Sequence, residues 1–498
     1  AFTYDLAKSI VYTRQGNPAW INQNRDGQPG PDRSNDLFFG NASGDPQPDW
    51  VNLDKVAIPQ ADEQQQLLTN IIIQSNLHRK PLPRFWFLPS GKKAAVVMTG
   101  DDHAAGGTIG RFDQYLTLSG SHNNATDIAD WKAIRGSSYI FPNTPITNAQ
   151  AAAYEAQGFE IGVHLNTGCA NYTQSALNSF FATQLGDMAT TFPGISATST
   201  HRTHCIAWSG WSVMAAEEFN HGIYLDANYY YWPDTWVQNR PGMFTGSGMP
   251  MRFATLNGAM IDCYQVATQL TDESGINYTL HINSLLDKAT GPEGYYGVFC
   301  ANMHTDVNGG TSTAGSDAII AAAQAKNIPV ISAKQMLTWL DGRNSSAFTN
   351  LVWNNNILTF GIDANAQARN LKAMLPKRGD SSLVLQSITR NGNAVTFTSE
   401  TIKGIEYAFF DAASGNYTAI YQTVICTTPT AVLASTSAAV CNGNGPVSIQ
   451  LSAATGAAPY TIVVNGQTYT NVTVGTPFIT YTPNELSTWN NNVTGGEP

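Results

Sequence analysis

Apolar runs of strand length alternate with longer stretches of helical periodicity between residues 91 and 342, and this alternation constrains the fold most strongly. The pattern predicts strands at 94–99, 138–141, 159–165, 196–204, 222–226, 251–254, 296–303 and 328–332. It predicts helices at 148–157, 174–191, 211–220, 280–289 and 314–326. Seven or eight such βα units favour an α/β fold of the (β/α) barrel type. A doubly wound open sheet is the alternative, but no glycine-rich dinucleotide fingerprint follows a strand.

Composition excludes several function classes. Charged residues make up 12 % of the chain and aromatic residues 10 %, which is typical of loop-rich extracellular domains. The net charge is −10 without a basic cluster, so nucleic acid is not expected as a partner. No apolar run reaches the ~18 residues that a membrane span needs.

The six cysteines are an even number without zinc-ribbon spacing, and they favour disulfides and a secreted or cell-surface location. Cys426 and Cys441 are the most plausible pair by position. Free buried thiols are the alternative interpretation.

The segments flanking the alternating region differ from it in pattern. Residues 1–90 read as an N-terminal appendage with helices near 5–15 and 62–77, and one interpretation is the tail of an upstream domain. Residues 343–424 alternate as a β-sandwich, with a turn at Asn391-Gly392, and 425–498 read as an immunoglobulin-like β module. A spacer or packing role is favoured over carbohydrate binding for both modules.

Polar residues at the ends of five predicted strands form the strongest functional signal. They are Asp101, Asp102 and His103, then His164, then Arg202 and His204, then Asp226, and last His304. A lone histidine is more often structural than a ligand, but a barrel would bring all of these to one face. Carboxylate and imidazole groups together suit zinc or a similar divalent metal.

The order of these runs resembles the motifs of the NodB-type polysaccharide deacetylases, carbohydrate esterase family 4, over about residues 91–340. The resemblance implies a distorted (β/α)7-type barrel. Thr99-Gly100-Asp101-Asp102 resembles the opening motif, which would make Asp101 the general base and Asp102 a metal ligand. His164 would be the first of two metal-binding histidines.

The remaining motifs of the family match more loosely. Arg202 would orient the base, and His304, in a run resembling Leu-x-His, would be the general acid. Asp226 and Trp232 match the motif that lines the pocket, and Tyr230 and Trp232 could stack on sugar rings. A backbone N–H near Tyr172 is expected to stabilise the oxyanion.

The sequence departs from the family at one metal position. The second histidine of its motif would fall at position 168, which is glycine here. His204 is the preferred replacement and His103 the alternative, and a metal-free site is also open. A Cys169–Cys205 disulfide would tie the loops that carry His164 and His204.

The sequence thus predicts a metal-dependent hydrolase, with zinc as the expected metal, that removes N- or O-acetyl groups from an extracellular polysaccharide. Two other functions stay open at this point. One is a barrel that has lost catalysis and only binds glycan, which Gly168 motivates. The other is a surface or adhesive protein whose β modules carry the function, with an upstream domain or a surface component as a partner.

Overall fold

The computed structural model describes residues 2–40, 49–380, 382–423, 430–436, 446–456, 458–481 and 493–494. The N-terminal segment contains helices α1 (Leu6–Gln15) and α2 (Gln60–Asn76), strand β1 (Arg84–Phe85), and 3₁₀ turns at Pro18–Trp20, Ser34–Leu37 and Leu53–Lys55. Its Phe38 and Phe39 are fully buried in the main hydrophobic core. This segment therefore contributes to the core that supports the central sheet.

A curled, half-barrel sheet of ten strands forms from the alternating region. The strands are β2 (Ala94–Asp102), β3 (Ser137–Ile140), β4 (Glu160–Leu165), β5 (Thr200–Thr203), β6 (Leu225–Asp226), β7 (Met251–Ala254), β8 (Met260–Gln265), β9 (Thr268–Thr271), β10 (Gly297–Asn302) and β11 (Val330–Ile331). Their order is β7-β8-β6-β5-β4-β3-β2-β10-β9, and β11 pairs with β2. Strand β7 runs antiparallel to β8, whereas the other pairs in this order are parallel.

Helices connect these strands. They are α3 (Thr108–Ser119), α4 (Ala125–Ala129), α5 (Asn148–Ala156), α6 (Gln174–Thr191), α7 (Val213–Asn220), α8 (Asp234–Val237), α9 (Tyr278–Thr290), α10 (Gly310–Ala325) and α11 (Ala333–Asn344), with 3₁₀ turns at Pro89–Gly91 and His204–Ile206. Helix α5 begins with a capping box between Thr147 and Gln150. All nine residues of β2 are buried, as expected for a parallel strand covered on both faces.

The α/β prediction is confirmed in this coarser form, as a half-barrel sheet followed by antiparallel sheets. Each of the eight predicted strands overlaps an observed one, but β8 and β9 were not predicted. Strand β8 forms a hairpin with β7 across Asn257-Gly258, a dipeptide that favours tight turns. Only the first strand of that hairpin was predicted.

Two antiparallel sheets follow α11. Their strands are β12 (Ala347–Asn354), β13 (Ile357–Asp363), β14 (Lys372–Pro376), β15 (Leu383–Arg390), β16 (Asn393–Ala394), β17 (Thr398–Ile402), β18 (Ile405–Asp411) and β19 (Gly415–Thr423). One sheet has the order β12-β13-β19-β15-β16 and the other β1-β14-β18-β17. Because β1 joins the second sheet, the N-terminal segment supplies an edge strand to a module more than 250 residues away, where Arg84 lies opposite Met374.

Contacts divide the chain into two units, Ala1–Gln422 and Thr423–Pro498. The segments expected at 1–90 and 91–342, and residues 343–422 of the next expected segment, lie in the first unit. The second unit contains β20 (Ala431–Ser435), β21 (Val447–Ala454), β22 (Tyr460–Val464), β23 (Gln467–Val472), β24 (Pro477–Tyr481) and β25 (Val493–Thr494), in sheets ordered β20-β21-β24 and β23-β22-β25. The expected Cys426–Cys441 pair lies outside the described residues. Within the described part of the chain, no helix is long and apolar enough to span a bilayer.

Candidate active site

Asp101 lies near the carboxyl end of β2, where successive side chains point to opposite faces of the sheet. Its carboxylate is 3 % exposed, 3.3 Å from Arg202 Nη1, and accepts a hydrogen bond of 2.9 Å from Asn302 Nδ2. Burial alone would raise the pKa of Asp101, but Arg202 and the neighbouring histidines lower it well below its usual range. Asp101 is therefore an ionised carboxylate whose position is fixed.

Arg202 on β5 holds that carboxylate in place. The guanidinium is fully buried and donates to Thr99 Oγ1 (2.8 Å), Asn302 Oδ1 (2.8 Å) and Thr268 Oγ1 (2.9 Å). These acceptors lie on β2, β10 and β9, so the cation is fixed from several strands. The predicted pairing of Arg202 with Asp101 is thus present in the structure.

Three histidines form a group beside Asp101. His103, His164 and His204 each offer a ring nitrogen, and these nitrogens lie within 4.8 Å of one another. The ring centroids are 5.1 Å apart for His103–His164 and 4.9 Å apart for His103–His204. Such a group can hold a divalent metal.

The contacts of His164 test whether this histidine group fits a metal ion. Its Nδ1 lies 3.0 Å from the carbonyl oxygen of Arg202, whereas its buried Nε2 has no hydrogen-bond partner. Burial lowers the pKa of His164 to about 3, so the ring is neutral and Nε2 carries a lone pair. A buried, unpartnered imidazole nitrogen next to two further imidazoles matches the donor set that zinc prefers.

His103 is oriented by a carboxylate behind it. Its Nδ1 lies 3.0 Å from Asp306 Oδ2, and its backbone N–H donates to Asp306 Oδ1. This carboxylate–imidazole pairing is the outer support that metal-binding histidines commonly have. The same hydrogen bond raises the pKa of His103.

Asp102 points away from this group. Its carboxylate is fully buried and accepts hydrogen bonds from the N–H groups of Ala105 (2.8 Å), Gly106 (2.9 Å) and Thr108 (3.1 Å), and from Thr108 Oγ1 (2.8 Å). The alternation of side chains along β2 explains this, because Asp102 faces opposite to its neighbour Asp101. The structure thus brings both His103 and His204 to His164, and leaves Asp102 to fix the loop before α3.

His304 lines the same pocket and is held by Asp272, which was not predicted as a site residue. His304 Nδ1 lies 2.8 Å from Asp272 Oδ1, and its backbone N–H donates to Asp272 Oδ2 at 2.8 Å. Burial would lower the pKa of His304, but Asp272 and Asp101 raise it to about 9. Asp272-Glu273 follows the unpredicted strand β9, so an acidic pair at a strand end was the available signal.

Three further predicted site residues make contacts that differ from their predicted roles. Tyr172 donates its backbone N–H to Ser209 Oγ (3.1 Å), so that N–H is not free for an oxyanion. Asp226 is fully buried and does not line the pocket; it contacts Glu218, His201 and Asn228 instead. Tyr230 is 1 % exposed, and its hydroxyl accepts a hydrogen bond of 2.8 Å from Asn302.

The pocket has a volume of about 250 Å³. Its lining includes Asp101, Tyr230 and the histidines His103, His164, His204 and His304, together with Trp232, Glu273 and Arg33. Arg33 comes from the N-terminal segment, and its guanidinium carbon lies 5.2 Å from the centre of the Trp232 ring. The predicted Cys169–Cys205 disulfide is present, with Cys169 Sγ 3.7 Å from His204 Nδ1.

Comparisons with known proteins give distant matches among solved structures. No protein-family model matches the chain, and no curated protein matches it. Among solved structures, the polysaccharide deacetylase Bc1974 from Bacillus cereus matches with 12 % identity and a TM-score of 0.28, over 48 % of this chain and 91 % of its own. A CE4 esterase from Streptococcus mutans matches with 12 % identity and a TM-score of 0.29, over 57 % and 99 %.

An alpha-L-fucosidase from Bacteroides thetaiotaomicron also matches, with 11 % identity and a TM-score of 0.25, over 66 % of this chain and 94 % of its own. Deacetylases and a glycosidase therefore match at similar scores. At this level of similarity the function has to be argued from the side chains of the site.

Proposed function

We propose that this protein is a metal-dependent hydrolase that removes acetyl groups from an extracellular polysaccharide. One observation carries the proposal: an ionised Asp101 fixed by Arg202 lies in the same pocket as the His103, His164 and His204 group. A carboxylate base next to a metal-binding group is a combination that supports hydrolysis of an acetyl bond.

A divalent metal held by the three histidines would acidify a water molecule and polarise the acetyl carbonyl. Asp101 accepts the proton of the attacking water. Its lowered pKa keeps Asp101 ionised at neutral pH, so the carboxylate can accept a proton. Arg202 and Asn302 keep the accepting oxygens aligned during this transfer.

His304 supplies the second proton transfer. With a pKa near 9 it is protonated at neutral pH, so it can protonate the departing amine or alcohol. Asp272 fixes the ring through Nδ1, which leaves Nε2 as the nitrogen that donates to the leaving group. Two groups with pKa values shifted in opposite directions thus divide the base and acid roles.

Sugar residues next to the acetyl group would contact the rim formed by Trp232 and Arg33. Trp232 is half-buried and presents an aromatic surface of the kind that packs on pyranose rings.

The disulfide next to His204 agrees with the proposed secreted or cell-surface location. Zinc is the proposed metal, since imidazole nitrogens are among its usual ligands.

Acetate release tests this proposal. We expect the purified protein to release acetate from acetylated chitin-type or xylan-type oligosaccharides, to lose activity after chelation, and to regain it with Zn²⁺. The His164→Ala variant is the matched control, because it removes Nε2, the ring nitrogen that has no hydrogen-bond partner. Glycan binding without acetate release by the zinc-loaded protein would contradict the hydrolase and favour a binding function.

A further inference from the structure

A second group of metal-binding side chains lies in the interior, outside the pocket. His201 (β5), Glu218 (α7) and Asp226 (β6) offer ligand atoms within 4.8 Å of one another, and all three residues are buried. His201 Nδ1 lies 2.6 Å from Glu218 Oε1. Cys263 on β8, a free and fully buried cysteine, places its Sγ 3.4 Å from Glu218 Oε2.

The charges of this group are not balanced by basic side chains. Glu218 and Asp226 are each 0 % exposed, and no Lys or Arg of the described chain forms an ion pair with either. Among the residues that the structure describes, His201 supplies the ionisable nitrogen in contact with Glu218. Glu218 and Asp226 also interact with each other through their side chains. Two adjacent buried carboxylates cannot both be ionised without a compensating positive charge, which a shared proton or a divalent cation would supply.

Outer partners orient the members of the group as they do around bound metals. His201 Nε2 lies 3.4 Å from Thr203 Oγ1, which leaves Nδ1 facing Glu218. Asp226 accepts one hydrogen bond from the Asn228 backbone N–H (3.0 Å) and another from the Asn228 side chain. A histidine held through its second nitrogen and a carboxylate held by donors are typical of metal ligands.

We propose that His201, Glu218, Asp226 and Cys263 hold a second divalent metal ion, of the zinc type, in a closed structural site. Imidazole, carboxylate and thiolate are all zinc ligands, and four protein ligands without an open position distinguish structural from catalytic sites. The ion would join β5, α7, β6 and β8. Since β5 also carries Arg202, it would stabilise the strand behind the pocket.

Cobalt substitution tests this site without using enzymatic activity. The pocket histidines include no thiolate, because the neighbouring Cys169 and Cys205 form a disulfide. We expect Co²⁺-loaded wild-type protein to show a thiolate-to-cobalt charge-transfer band. The band should persist in a His103→Ala/His164→Ala double variant and disappear in Cys263→Ser. Cys300→Ser, the other free buried cysteine of the described chain, is the matched control and should keep the band.

Metal counting by mass spectrometry completes the test. We expect two zinc ions per chain in the wild type and one in the His103→Ala/His164→Ala variant. X-ray absorption of the wild-type zinc protein should show sulfur ligation at one of the two ions. This measurement does not depend on the folding of a variant. A single zinc with only nitrogen and oxygen ligands, or a charge-transfer band that survives Cys263→Ser, would overturn the second site. In that case Glu218 and Asp226 share protons instead, and the hydrolase proposal is unaffected.

Discussion

The pocket and the interior group behind β5 both combine carboxylates with histidines, but they differ in what balances the negative charge. In the pocket, Asp101 has Arg202 at 3.3 Å, and its pKa is lowered despite burial. In the interior, burial and the neighbouring Glu218 raise the pKa of Asp226 well above its usual value. A fixed guanidinium therefore keeps one carboxylate ionised, whereas the other requires a proton or a metal ion.

The two regions also differ in access. The pocket side chains line a cavity of about 250 Å³, whereas His201, Glu218 and Asp226 are each at most 1 % exposed. A reacting group must contact the substrate. We therefore expect the pocket residues to act in catalysis and the interior residues to stabilise the fold. Substitutions in the two regions should separate these effects.

The largest effect is expected for Asp101→Asn. The amide cannot accept the water proton, so kcat/KM for acetate release should fall by about 10²–10⁴-fold. Metal content and melting temperature should stay close to wild type. Asp226→Asn is the paired control, and it should lower the melting temperature while the folded protein retains its kcat. Equal losses of kcat in both variants would remove the distinction between the two regions.

His164→Ala should affect metal binding in the pocket next most strongly. Loss of an outer partner of a metal ligand weakens affinity by about 10–100-fold, and loss of the ligand itself should exceed that. Competition titration with a zinc chelator measures the change. His122, an exposed histidine paired with Asp127, provides the control: His122→Ala should bind zinc as the wild type does. An unchanged affinity in His164→Ala would exclude His164 as a ligand.

Asp272→Asn should change the pH profile of activity. Asp272 raises the pKa of His304 to about 9, so the protonated acid persists up to that pH and activity declines above it. Without Asp272 the pKa of His304 falls, and the alkaline limb of kcat should move to lower pH. Glu273→Gln should move the limb less, since Glu273 contributes less to the same shift. An unmoved alkaline limb in Asp272→Asn would show that His304 is not the acid.

Sequence patterns predicted the larger part of the half-barrel, because apolar strands and amphipathic helices leave a local signal. They also singled out Asp101, His164, Arg202 and His304, which end strands that were themselves predicted and which lie close together in the structure. Asp272 was missed because β9 was missed. The mixed polar sequence Thr268-Gln269-Leu270-Thr271 is fully buried in the structure, which its local pattern does not predict.

Arg33 shows a different limit of sequence reasoning. It reaches the pocket from the N-terminal segment, where its Nε donates to the Cys205 carbonyl, 172 positions along the chain. Long-range packing of this kind leaves no periodic signal near either residue. Asp226 was assigned to the pocket because it ends a strand, but a strand end exposes its side chain only if it points into the barrel.

The smallest effect is expected for Asp102→Ala. This variant is also the most direct test of which side chains bind the metal. Asp102 accepts four hydrogen bonds at the start of α3, so its loss should cost about 1–2 kcal/mol, comparable to losing a helix cap. Zinc content should be unchanged, as measured by mass spectrometry beside a thermal melt. His103→Ala should show the opposite pattern, with reduced zinc affinity and a smaller change in melting temperature. Loss of zinc in Asp102→Ala with retained zinc in His103→Ala would instead return the ligand role to Asp102, as in the family that the sequence resembles.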